Sequence, residues 1–119
     1  MNILFFVALV VEGLFGLGFI FIPGKMLEPY GVILNDTATT FARLFGSAIL
    51  SFPIFLWFAR KSENIDFKKA AVYTLLFYFL VSGILLVIAQ VVGMMNALGW
   101  AIISLHVIFI IWFGYYTVK

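Results

Sequence analysis

The chain has 119 residues, of which 66% are hydrophobic and only 10% charged, and its mean hydropathy is +1.22. An apolar share this far above that of an ordinary soluble domain excludes a water-facing surface and points to one integral membrane domain over residues 1–119. The formal charge of +2 rests on seven cations that sit mostly in one short loop, so no nucleic-acid-binding patch is expected, and the absence of cysteine excludes disulfides and thiolate chemistry within these residues.

A bilayer core about 30 Å thick needs roughly 20 mostly apolar residues to cross it as a helix. Four stretches meet that requirement: 3–22, 38–59, 69–92 and 98–118. Backbone polar groups in lipid must be satisfied within each segment, and the alternation of a β-barrel is absent. The predicted fold is therefore all-α, a polytopic four-transmembrane-helix antiparallel bundle.

The first span reads as mature structure, because residues 1–21 lack the basic start and small-residue cleavage pattern of a signal peptide. Ile22-Pro23-Gly24 ends it, residues 25–28 form an interfacial turn, and Asn35-Asp36-Thr37 offers side-chain oxygens to cap the second span. Pro53 is expected to loosen the hydrogen-bond ladder near residue 49. Loop 60–69 carries Arg60, Lys61, Lys68 and Lys69, which by the positive-inside rule places it and both termini in the cytoplasm. Residues 93–98 make an uncharged tight turn into the fourth span.

Each span carries a polar or small stripe at a spacing of three or four: Ala8, Glu12 and Gly16 in the first; Arg43, Ser47 and Ser51 in the second; Thr74, Tyr78 and Ser82, then Gln90, in the third; Gly99, Ile103 and His106 in the fourth, with Asn96 just before it. Such stripes are expected to face one another, leaving the greasy remainder to lipid. At about 1.5 Å per residue from the outer ends, Gln90 lies ~3 Å deep, Arg43 ~8 Å, His106 ~12 Å and Glu12 ~15 Å. Glu12, Arg43, Ser47, Gln90, Asn96 and His106 thus form the candidate site, an outward-facing polar cluster in which Glu12 and Arg43 form an ion pair or share a water. An unpaired charge near the bilayer centre costs at least ~2.5–3.5 kcal/mol, which is why a partner is expected.

Two readings of this cluster stay open. In one it binds or passes a small solute, ion or proton. In the other it only fastens the helices, and function lies in contacts with lipid, another membrane protein or a second copy of the chain. An enzyme is the poorest fit, since Ser104 and the single histidine, His106, diverge around their helix. No cofactor is expected, and one histidine without cysteine makes no metal site.

Phe15-Gly16-Leu17, Ile22-Pro23, Tyr30-Gly31, Ala42-Arg43-Leu44-Phe45-Gly46 and Asn96-Ala97-Leu98-Gly99-Trp100 resemble a group of uncharacterised bacterial four-span inner-membrane proteins. The resemblance implies a bacterial cytoplasmic-membrane location and directs attention to Arg43 and Asn96, with no activity to carry over. Small multidrug transporters also place a glutamate in their first helix, but the aromatic surroundings that accompany it in their third are missing here. Fluoride-channel signatures are absent beyond Thr39-Thr40-Phe41.

Overall fold

The computed structural model describes residues 1–119, and every regular element in it is helical. Helix α1 (Asn2–Phe21) stops before Pro23, whose ring disfavours helical backbone at Ile22, found at φ −136°. Pro23 then opens the short α2 (Pro23–Leu27), where its missing N–H costs nothing. A 3₁₀ turn (Glu28–Tyr30) follows and ends at Gly31, whose φ of 77° suits a residue without Cβ.

Helix α3 (Asp36–Lys61) starts as expected from its cap, with Asn35 Oδ1 accepting the Ala38 N–H at 2.8 Å, and it continues through Pro53. Helix α4 (Ile65–Val91) begins four residues before the anticipated position. The reason is Asn64, whose Oδ1 accepts the N–H groups of Asp66 and Phe67 and so lets polar residues make the first turn. Helix α5 (Gly99–Tyr115) ends earlier than the apolar run does, because the N–H groups of Tyr116 and Thr117 bond three residues back and tighten the last turn. Helices α1, α3 and α4 are long and apolar enough to cross a membrane, and α5 is a shorter apolar helix of 17 residues.

The helices pack as two antiparallel hairpins, α1 on α3 and α4 on α5. The first is closely fitted: a Cβ on Gly46 would stand 2.8 Å from Phe19 Cβ and 2.9 Å from the Gly16 carbonyl oxygen, so any larger residue there would have to push the two helices or their side chains apart. The hairpins are fastened to each other at the end that carries the 62–64 connection. There Leu4, Phe5 and Ala8 meet Leu56 and Ala59 of α3, Val72, Leu75 and Phe79 of α4, and Phe109 and Phe113 of α5. Phe79 stacks on Phe109 with centroids 4.6 Å apart, and Phe5 on Phe113 at 6.4 Å. Lys68 Nζ donates to Asn2 Oδ1 and to the Arg60 carbonyl oxygen, drawing three helix ends together. Beyond this core, toward the opposite end of a molecule 44 Å long, the hairpins leave a cavity between them.

Candidate functional site

The cavity has a volume of about 290 Å³ and draws on every long helix. Its walls are Phe15 and Phe19 of α1, Phe45 and Ile49 of α3, Leu85 and Leu86 of α4, and Ile102 and Leu105 of α5. Met26, Leu27 and Tyr30 of the α2 segment roof it, together with Met95 from the turn before α5. A Cβ at Gly18 would lie 2.5 Å from the Met26 sulfur, so the bare backbone of α1 is what allows α2 to fold back over the opening.

The polar groups gather beside the hydrophobic core. Glu12 lies one turn from Ala8 on the buried stripe of α1 and is only 3% exposed. Tyr78, next in sequence to the core residue Phe79, lines the same cavity. Ser82, one turn further along α4, donates to the Tyr78 carbonyl oxygen at 2.6 Å. His106, 7% exposed, lies on the buried face that Gly99 and Ile103 begin, with the Phe79 ring edge-on at 5.4 Å. Its Nδ1 is 2.9 Å from the Ile102 carbonyl oxygen. A carbonyl can only accept, so Nδ1 carries the hydrogen, which in a neutral ring leaves Nε2 as an acceptor; no protein group hydrogen-bonds to Nε2.

Of the six residues singled out from sequence, the structure places Glu12 and His106 together in this cavity. Arg43 and Ser47 are exposed on α3 and line no part of it, so the expected Glu12–Arg43 pairing is not formed. The stripe of Arg43, Ser47 and Ser51 lies about a third of a turn around α3 from the face that Gly46 and Ile49 bury. Two causes set that rotation. Close approach to α1 selects glycine, and the serines need no outside partner, since Ser47 donates to the Leu44 carbonyl oxygen at 2.7 Å and Ser51 to that of Ala48.

Gln90 and Asn96 also meet, but they fasten the roof instead of lining the cavity. Asn96 Nδ2 donates to the Pro29 carbonyl oxygen at 2.9 Å, its backbone N–H to that of Tyr30 at 2.9 Å, and its Oδ1 accepts the Leu98 N–H at 3.0 Å. Gln90 Nε2 donates to the Asn96 carbonyl oxygen at 3.0 Å, while Gln90 Oε1 is buried without a partner beside Gly99. The α2 segment belongs to the site and was not among the candidates. Gly18, Pro23 and Gly31 are its only sequence signals, and none of them specifies the fold-back.

No family model, curated protein or solved structure matches this chain. The site is therefore read from its own chemistry: an apolar chamber of small-molecule size, a buried carboxyl at its floor, and no lysine or arginine among the residues that line it.

Proposed function

We propose that the chain is a four-span membrane protein that binds a small, largely apolar molecule between its two helical hairpins, with Glu12, Tyr78 and His106 receiving the polar end. The observation that carries this reading is the roofed cavity with greasy walls and a buried carboxyl on its floor. A membrane setting accounts for the outer surface, where each long helix exposes large apolar side chains: Leu14 at 66%, Phe41 at 65%, Phe77 at 69% and Ile111 at 68%. The 17 residues of α5 fall at the short end of what spans a bilayer. With the basic loop in the cytoplasm, the cavity occupies the outer half of the bundle. Arg43, near the outer end of α3, then extends toward lipid headgroups, which removes its need for an internal partner. A bacterial cytoplasmic membrane follows from the resemblance described above.

Measuring binding of an environment-sensitive apolar fluorophore to the purified protein in lipid nanodiscs tests the reading. The Leu86→Trp variant, which fills the cavity, is expected to abolish the saturable signal, and Ile111→Trp on the outer surface to leave it intact. Equal binding by Leu86→Trp and the unaltered protein would refute the cavity as a binding site and favour the reading in which the helices serve only as a scaffold.

A further inference from the structure

The cavity floor keeps polar groups to spare. The Ser82 hydroxyl donates to the Tyr78 carbonyl oxygen and the His106 Nδ1–H is directed at that of Ile102. What remains is the Glu12 carboxyl, the Tyr78 hydroxyl and Nε2 of His106. No cationic side chain lines the chamber, and the one arginine expected to approach Glu12 points away.

We infer that the molecule held here is an amphiphilic amine, its ammonium group seated on Glu12 and its hydrocarbon body lying between the two hairpins. This inference rests on the binding function proposed above and narrows it to one ligand class. An ammonium brings several N–H donors to the Glu12 carboxyl and to Nε2 of His106, and it supplies the positive charge that the cavity lining does not. A carboxylate or phosphate would set acceptor against acceptor, and a purely apolar molecule would leave buried polar atoms unpaired. The aromatic rings of Phe15, Phe19 and Tyr78 are in the lining, a composition suited to a cation. A volume of about 290 Å³ holds a single short chain or ring system and is too small for a two-chain lipid.

The test is competition against the cavity fluorophore in zwitterionic nanodiscs by three molecules of equal chain length: n-octylammonium, 1-octanol and octanoate, each corrected for partition into empty discs. Octylammonium is expected to compete about tenfold or more better than octanol, the advantage of a charge-assisted hydrogen bond, with octanoate weakest. In Glu12→Gln the advantage of octylammonium over octanol, taken as a ratio within that variant, is expected to vanish. Equal competition by ammonium and alcohol in the unaltered protein, or a preference for octanoate, overturns the amine inference and leaves the binding cavity standing. If the fluorophore itself shows no saturable binding, the cavity reading fails and the inference with it. Because the comparison of competitors needs no variant, it decides the matter even if Glu12→Gln does not fold.

Discussion

At the scale of single residues, Arg43 and Glu12 separate what a charge contributes by pairing from what it contributes by position. Breaking a buried ion pair typically destabilises by about 3–5 kcal/mol, whereas an exposed side chain away from special features matters by less than about 0.5 kcal/mol. Since Arg43 is exposed and outside the cavity, Arg43→Ala is expected to leave the unfolding free energy in mixed micelles within that smaller range. Glu12 and Tyr78 line one cavity and should behave as a coupled pair: in a double-mutant cycle of Glu12→Gln and Tyr78→Phe, the two changes are expected to fall short of additivity by about 1 kcal/mol. The stripe through Ala8, Glu12 and Gly16 was legible because Glu12 is the sole polar side chain of α1 beyond its first residue, Asn2. The stripe on α3 misled because serine at helical spacing looks like an interface, although its hydroxyl is satisfied by its own helix.

At the scale of elements, the two hairpins differ in how closely their backbones approach, and glycine substitutions report it. In Gly46→Ala the new methyl must displace Phe19 or the Gly16 carbonyl, a form of overpacking that costs about 1–3 kcal/mol and exceeds the gain of up to ~1 kcal/mol from helix propensity. Gly114 lies in the last turn of α5 with no atom within 4 Å of where its Cβ would stand, so Gly114→Ala is expected to stabilise by roughly 0.5 kcal/mol. Opposite signs for the two variants, measured by unfolding in the same micelles, would place the α1–α3 crossing among the closest contacts of the molecule. Helix boundaries were less legible where capping overrode apolarity, as at Asn64, although an asparagine two residues before Asp66 is the kind of signal that reveals such a start.

At the scale of the whole molecule, the hydrophobic core fastens one end of the two hairpins, and the opposite end depends on the α2 segment lying across the cavity. That segment is joined to the turn before α5 chiefly through Asn96, by one bond from its side chain and one from its backbone. Little of this was legible beforehand. Asn96 was expected at the site, but its partners are backbone carbonyls some 67 positions earlier in the chain, and such a pairing leaves no periodic trace. Asn96→Ala removes the side-chain bonds to Pro29 and Leu98 and keeps the backbone bond to Tyr30, so a loss of about 1–2 kcal/mol is expected, concentrated in the roof. Amide exchange in residues 23–31 should accelerate, while residues 66–79, which include the core positions of α4, stay protected as before. The fluorophore should also enter and leave the cavity faster, with affinity changed less than either rate, because the latch holds the roof and touches none of the floor. If exchange rises equally at both ends of the molecule, Asn96 supports the fold as a whole and the roof is not a separately moving part. If it rises only over the cavity, the core end acts as a fixed base and the α2 segment as the element that admits the ligand.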